Sequence, residues 1–298
     1  MSDIIHYDHC PACGSAAIDF VLKAKDETVS KKYFEIWQCY NCTLRFTQNF
    51  PDEKDIGKYY QSSAYISHSN TSQGIVNKLY HTVRSITLQS KRKLVEKSSG
   101  KKAGSLLDVG AGTGAFASTM KNSGWNVTGL EPDETARTNA KKDFNIELQP
   151  TENLSSLQPN TFDVITLWHV LEHVHQLHAY LDTFYSLLAD NGTLIIAVPN
   201  YTSYDAEAYS ANWAAYDVPR HLYHFSPQSM SSLLTAHQFT LAQQKPMWFD
   251  SFYVSLLSEK YTSGKNSFLR AFTKGALSNL KAVGKPKNCS SVIYVAKK

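Results

Sequence analysis

Residues 105 to 116 read SLLDVGAGTGAF: an apolar run, a glycine-dense turn and the start of a helical pattern. A strand that delivers a glycine turn straight into a helix is the opening of a doubly wound α/β unit, so this stretch constrains the fold more than any other. Glycines at 110, 112 and 114, with Ala111 between the first two, allow the backbone to approach a ligand closely, and the start of the following helix favours an anion. Gly110, Gly112 and Ala115 also satisfy the looser dinucleotide pattern, so the glycines by themselves leave two cofactor classes open. Asp108 separates them. A carboxylate two residues ahead of the first glycine repels a pyrophosphate and attracts a ligand bearing an ammonium group. Glu131, closing the next apolar run NVTGLE, would hold ribose hydroxyls in either case.

The same rhythm continues downstream. Strand-like runs near 105–109, 126–130, 146–149, 162–168 and 192–198 alternate with helical patterns, which predicts a parallel sheet. LLDVGAGTGAF, Glu131, FDVITLWHVLEHV at 162–174 and GTLIIAVPN at 192–200 follow in the order of the motifs of class I S-adenosylmethionine-dependent methyltransferases, which this chain resembles over roughly residues 104–245 and again in the last run, SSVIYVAKK. The resemblance implies a Rossmann-like, doubly wound, mostly parallel seven-stranded sheet. Its final strand, 290–296, would run antiparallel beside a strand near 239–245. It also implies S-adenosylmethionine as cofactor. That molecule carries an ammonium for Asp108, a carboxylate for the helix N-terminus and a ribose for Glu131. By the same likeness Asp108, Gly110, Ala111, Gly112 and Gly114 cradle the methionine end, with Pro132, Trp168 and His169 in the same cofactor-binding set. Glu152 and Asn153 stand where the family meets adenine, although the family commonly has Asp there.

Ahead of this domain, Cys10-Pro11-Ala12-Cys13 and Cys39-Tyr40-Asn41-Cys42 form two CxxC units. Each can offer two thiolates to one ion, and together they complete a closed tetrahedral site. A segment of about 50 residues has too little core to fold unaided, so the expected role of zinc here is structural. The segment resembles the zinc-ribbon lead-in found before some methyltransferase domains. The domain plan is then a ribbon at 1–50, a connecting loop and helix at 51–103, and the methyltransferase domain at 104–298 with a basic helical insertion at about 246–288. In the connector, SHSNTSQG at 67–74 reads as a loop after Tyr59, Tyr60 and Tyr65. An amphipathic helix follows, carried by Ile75, Val76, Leu79, Val83 and Ile86 and ending at Ser98-Ser99-Gly100.

A net charge of +4 lacks the cationic excess that would itself predict a nucleic-acid binder. In the ribbon Lys23, Lys25, Lys31, Lys32 and Arg45 are offset by Asp3, Asp8, Asp19, Asp26, Glu27 and Glu35, which weighs against an RNA methyltransferase gripping its substrate there. The first residues, MSDIIHYDHC, have neither the basic start nor the apolar stretch of a signal peptide, and no run is long enough for a membrane span; a soluble, cytoplasmic protein is expected.

In an open α/β sheet ligands bind beyond the carboxyl ends of the strands. Two segments reach that edge: Trp168-His169-Val170-Leu171-Glu172-His173, and WAAYDVPRHLYHFS at 213–226. The second, with its W, D, PRHL and HFS series, resembles small-molecule and sugar-type methyltransferases that often carry a zinc ribbon, and it reads as a wall of the acceptor pocket. Methyl transfer from a sulfonium is an in-line displacement, so acceptor and methyl carbon must be held in near-attack geometry with water excluded. A hydroxyl acceptor also needs a base, and His169, His221 and His224 are the candidates, the first two ahead of His224 because Ser226-Pro227 reads as a helix start. Arg220 suits an anionic group on the acceptor, Asp217 would orient a histidine, and Tyr216 completes the set. His169, His173, His175 and His178 together suggest a metal, but the helical pair His169 and His173 lacks a third ligand.

From Lys260 to Lys298 there are nine Lys or Arg and no acid. Phe268, Leu269, Phe272, Ala276, Leu280 and Val283 fall on one helical face, which is expected to pack inward and leave its lysines in water; a lid, a peripheral membrane contact or a site for phosphate-bearing or lipid-linked acceptors are the alternatives. The sequence therefore reads as a methyltransferase for a small-molecule acceptor such as a sugar or a cell-surface glycan precursor. An RNA methyltransferase and a non-catalytic binding protein retaining the fold are the alternatives.

Overall fold

The computed structural model of the protein describes residues 4–61, 75–264 and 267–298, with side chains of the first helix from Arg84 onward. The loop expected at 67–74, and Tyr65, lie outside them. A six-stranded sheet forms the centre. Its strands are β6 (Ser105–Val109), β7 (Asn126–Leu130), β8 (Phe162–Trp168), β9 (Leu188–Pro199), β11 (Thr240–Pro246) and β12 (Ser291–Lys297), in the order β11-β12-β9-β8-β6-β7. The β7-β6-β8-β9 block is parallel, and β12 and β11 run antiparallel at the far side. Successive residues face opposite ways. Leu107, Val109, Ile165, Leu167, Leu194 and Ile196 pack on helices α4 (Leu177–Leu187) and α6 (Pro227–Ala236). Leu106, Val164, Ile195, Ile293 and Val295 pack with Val95 of α1 (Ile75–Ser99) and with Phe116 and Met120 of α2 (Ala115–Lys121). Burial on both faces explains why the strands read as nearly continuous apolar runs.

The seventh strand expected at 146–149 is not formed. It shrinks to one parallel bridge, Leu130 to Gln149, held by hydrogen bonds from Gln149 N to Gly129 O and from Glu131 N to Gln149 O, each 2.9 Å. Pro150 follows at once and has no amide with which to continue the ladder. Ile146 and Leu148 instead pack against Ala140 of α3 (Glu134–Phe144).

The N-terminal region holds β1 (Ile4–Ile5), β2 (Ile18–Lys25), β3 (Tyr33–Cys39), β4 (Arg45–Gln48) and β5 (Phe50–Pro51). Strands β2, β3 and β4 form an antiparallel sheet whose fourth member is β10 (Tyr223–His224), contributed by the 213–226 segment. The amide of Thr47 reaches Leu222 O at 2.9 Å, and Tyr201 hydroxyl donates to Thr43 O at 2.6 Å. Cys10, Cys39, Cys42, Leu44 and Phe46 share one buried cluster with Leu222, Tyr223 and α6, so the four-cysteine region and the main sheet have a common core.

Helices α5 (Tyr204–Tyr209), α7 (Asp250–Ser263) and α8 (Phe268–Ala282) pack on one another. At their centre Asp205, fully buried, accepts hydrogen bonds from Trp213 Nε1 (2.8 Å), Ser278 Oγ (2.6 Å) and Ser290 Oγ (2.7 Å). Here the sequence expectation is reversed. α8 packs through Ala271, Gly275, Ser278 and Ala282, and exposes Phe268, Leu269, Phe272, Leu277 and Leu280, with Val283 exposed just after its end. Small residues set the packed side: a Cβ on Gly275 would stand 2.9 Å from Phe252 and 3.1 Å from Ser251 O, so only glycine allows α7 and α8 to approach this closely.

Candidate functional site

β6 ends at Val109 and the chain turns through Gly110, Gly112 and Gly114, all at positive φ, into α2. A Cβ at Gly110 would overlap the Val170 side chain, which belongs to the segment after β8. At Gly112 nothing among the described residues stands within 4 Å of the missing Cβ. Glu131 fixes the turn: its carboxylate accepts from the amides of Gly112 (2.7 Å) and Asp133 (3.1 Å), while Ala111 N donates to Leu130 O. Beneath it Asp108, buried in β6, accepts from Thr166 Oγ1 on β8 at 2.7 Å. Burial drives the Asp108 carboxyl up to about 7 although Thr166 and Lys91 pull it down. Burial also raises Glu131, against its two backbone hydrogen bonds.

Lys91 went unnoticed in the sequence, where one lysine on an amphipathic helix is indistinguishable from the others. From α1 its amine lies 4.2 Å from the centre of the Trp168 ring, and burial pushes it down to about 8 against the attraction of Asp250 and Asp108. The Trp168 indole packs edge-on against Phe116, and its buried Nε1 has no partner among the described residues. A glycine turn, an acid beneath it, an acid at the next strand end and an unpaired indole N–H fit a polar ligand with ammonium and ribose groups. Pro132 and Glu152 are exposed at the same edge; Asn153 is half-buried, its amide on Gln149 Oε1 at 3.1 Å.

The residues expected on the acceptor side are largely committed to protein partners. His169, at φ +59°, lies between Asp250 Oδ2 (2.8 Å from Nε2) and Glu172 Oε1 (3.4 Å from Nδ1). Burial alone would lower this imidazole, but Asp250 and Glu172 outweigh it and hold it up to about 10. His169 is therefore cationic at neutral pH and has no lone pair to take a proton. Asp250 begins α7, far along the chain, and nothing local announced it. His221 donates from Nδ1 to Ala215 O at 2.8 Å, which leaves the lone pair of the neutral ring on Nε2. Asp217 does not hydrogen-bond His221, lying 3.8 Å away; it pairs instead with Arg220, whose guanidinium also donates to Tyr59 O at 3.2 Å.

Tyr216 and His224 sit apart in the seam with the N-terminal sheet. Arg45 donates to Tyr216 hydroxyl at 2.8 Å, and His224 Nε2 meets Thr47 Oγ1 at 3.2 Å while its ring packs edge-on against Tyr216. Burial, with His221 and Arg45 nearby, drives the His224 imidazole well below its ordinary value. Most of the 213–226 segment is buried, including Trp213, Tyr216, Val218, Leu222 and Tyr223, so only part of it is available to line a pocket. Val218-Pro219 is a cis peptide, and Ser226 caps α6 in a capping box with Ser229. The four-histidine metal set does not assemble. His175 meets Pro51 O, and His178 is held by His237 and Pro11 O.

The four cysteines do converge. Cys10 and Cys42 sulfurs are 3.5 Å apart, and Cys13 and Cys39 sulfurs 3.6 Å. These separations are far beyond a disulfide of about 2.05 Å. They approach the roughly 3.8 Å expected between thiolates about 2.3 Å from one tetrahedral ion. The donor set fits zinc.

Residues 81–244 match the family model described as a methyltransferase domain. The ubiquinone biosynthesis O-methyltransferase of Xanthomonas campestris pv. campestris (strain B100) is 27% identical over 158 residues, which is 49% of this chain and 66% of that protein. An uncharacterized methyltransferase of Alkaliphilus oremlandii (strain OhILAs) is 33% identical over 129 residues, 41% of this chain and 56% of that protein. The chain thus spans about two thirds or less of the length of these curated relatives. Among solved structures, a putative sarcosine dimethylglycine methyltransferase from Galdieria sulphuraria superposes with a TM-score of 0.51 at 13% identity, over 74% of this chain and 88% of that one. The phosphoethanolamine N-methyltransferase 2 of Haemonchus contortus, in complex with S-adenosyl-L-methionine, gives 0.51 at 14% identity over 85% of this chain and 62% of that one. These two likenesses establish the fold alone. The family match covers more than half of the residues and falls on the glycine turn, the acidic strand end and the parallel block just described, so the chain belongs to the class I S-adenosylmethionine-dependent methyltransferase family.

Proposed function

We propose that the protein transfers a methyl group from S-adenosylmethionine to a small-molecule acceptor, a sugar or cell-surface glycan precursor bearing a hydroxyl. The observation that carries this reading is the buried Asp108 under a glycine turn whose Gly112 amide is tied to Glu131. In it Asp108 and the 110–114 turn hold the methionine end, Glu131 and Pro132 the ribose, Glu152 and Asn153 the adenine, and Trp168 borders the cleft. When bound, the cofactor supplies an electrophilic methyl group. His221, with Nε2 free, takes the acceptor proton; His169, already cationic, orients or pairs with negative charge. Zinc on Cys10, Cys13, Cys39 and Cys42 is structural. The test is calorimetric titration of the zinc-loaded protein with S-adenosylhomocysteine and with NAD, for wild type and Asp108→Ala. Saturable binding of the former, lost in the variant and absent for NAD, is expected. No binding of S-adenosylhomocysteine by the folded protein overturns the reading and favours a non-catalytic binding protein.

A lipid-linked, anionic acceptor is favoured by α8. Its apolar face is exposed, and the chain from Lys260 onward is cationic throughout. The full chain should float with phosphatidylglycerol vesicles and less with neutral phosphatidylcholine vesicles, and Leu269→Glu with Leu280→Glu should abolish flotation. Equal recovery of wild type and variant contradicts this.

A further inference from the structure

We infer that Glu172, His173 and His221 form a second metal site, for a divalent first-row transition ion, independent of the four-cysteine cluster. Among the described residues these are the only groups of three or more ligand-type side chains that converge apart from the cysteines, with one ligand atom from each lying within 4.8 Å of the others. Two segments 47 residues apart or more are joined to make it: the amide of Leu222 donates to Glu172 O at 2.8 Å, and His173 Nδ1 lies 3.0 Å from Arg220 O.

The protonation pattern is what a metal requires. A carbonyl oxygen only accepts, so His173 carries its proton on Nδ1, toward Arg220 O; the Tyr60 hydroxyl is 2.9 Å from the same nitrogen. His221 carries its proton on Nδ1, toward Ala215 O at 2.8 Å. Both rings thus offer Nε2 as the ligand atom, oriented by a backbone carbonyl in the way metal-binding imidazoles usually are. The rings meet edge to face with centroids 4.5 Å apart. Glu172 is fully buried, and neither carboxylate oxygen has a hydrogen-bond partner among the described residues, although His169 Nδ1 approaches to 3.4 Å. The cationic His169 faces one side of this carboxylate, at a distance too long for a good hydrogen bond, and a metal ion would join its remaining acceptor capacity to the two imidazole lone pairs. Two imidazoles and one carboxylate suit zinc, iron or manganese, and bonds of about 2.0–2.2 Å would need ligand atoms within 4.8 Å of one another to close to roughly 3.4 Å, a movement on the order of 1 Å shared among three side chains. Three protein ligands leave further positions for water or for an oxygen-bearing ligand. An ion here would engage the same His221 Nε2 that is proposed above as the base, so the two roles exclude one another, and retention of the second metal would count against His221 as base.

The experiment is a cobalt(II) titration of the metal-stripped full chain, read by absorption, with metal content by mass spectrometry after gel filtration. The first equivalent should give the intense near-ultraviolet thiolate bands of the cysteine site. A second should add only weak visible absorption, so that wild type retains two metals per chain. His221→Gln and Glu172→Gln should each retain one, with the thiolate bands unchanged; Glu172→Gln also removes a buried charge, so loss of fold is not expected to confuse the result. One metal per chain in wild type, or a second equivalent that persists in both variants, overturns the inference. Neither outcome depends on methyl transfer.

Discussion

Asp108→Asn should make the protein more stable and at the same time weaken its grip on the cofactor. In the fold the Asp108 carboxyl is raised by burial from 3.8 to about 7, so in the folded state it holds its proton where the unfolded chain has released it. A raised carboxyl contributes stability that is fully present below pH 3.8 and lost as the pH climbs through about 7. At about 1.4 kcal/mol per pH unit, that interval sets a ceiling of about 4 kcal/mol, and relaxation around the charge brings the expected gain in the variant to roughly 2 kcal/mol. Asn keeps an oxygen to accept from Thr166 Oγ1 and never ionises. The assay is urea unfolding of wild type and variant, without ligand, between pH 5 and 8.5. The stability gap should widen in favour of the variant up to about pH 7 and stay flat above it. In calorimetry at pH 7.5 the variant should bind S-adenosylhomocysteine at least tenfold more weakly, since its charge partner for the ammonium is gone. A variant less stable than wild type at pH 8, or a gap independent of pH, would refute the placement of a strained carboxyl under the glycine turn.

Gly110→Ala should destabilise by about 2–4 kcal/mol, from the left-handed backbone and the overlap with Val170, and Val170→Ala in the same chain should recover the steric part; additive unfolding energies would show that the two sites do not touch. His169 is held charged up to about pH 10, so its contribution is fully present below pH 6.5 and disappears as pH rises through about 10. Asp250→Asn should therefore flatten the loss of stability between pH 7 and 10.5, and an unchanged pH profile would contradict the His169–Asp250 pair. Stripping metal with a strong chelator, or Cys39→Ser, should lower Tm by about 5–15 °C, corresponding to roughly 3–5 kcal/mol; an unchanged melting curve would mean the four thiols hold nothing that matters to the fold.

Much of the fold could be read directly. The strands at 105–109, 126–130 and 162–168 are where the apolar runs put them, because burial on both faces leaves an unbroken signal. The run at 146–149 carried the same signal but was cut short by Pro150, a single residue outweighing four. α8 was read the wrong way round because hydrophobicity suggested the packed face, whereas Gly275, Ala271 and Ala282 packed through close approach. The glycine turn was legible because its residues are contiguous. Lys91 and Asp250 were not, since each reaches the cleft from a helix with no local pattern to mark it, and His221 joins Glu172 and His173 only after a long excursion of the chain. The 213–226 aromatics announced importance without saying that most of it is structural.

Strand β10 lends only two residues to the N-terminal sheet, but it changes what counts as a separable part. Cutting the chain after residue 50 would leave the pairing edge of Tyr223 and His224 without a partner and uncover Leu222 and Tyr223 beside it. An exposed, apolar strand edge invites self-association. The four-cysteine region is therefore a cover for the rest of the protein as much as an appendage to it, and the two parts should have to be expressed, folded and varied together.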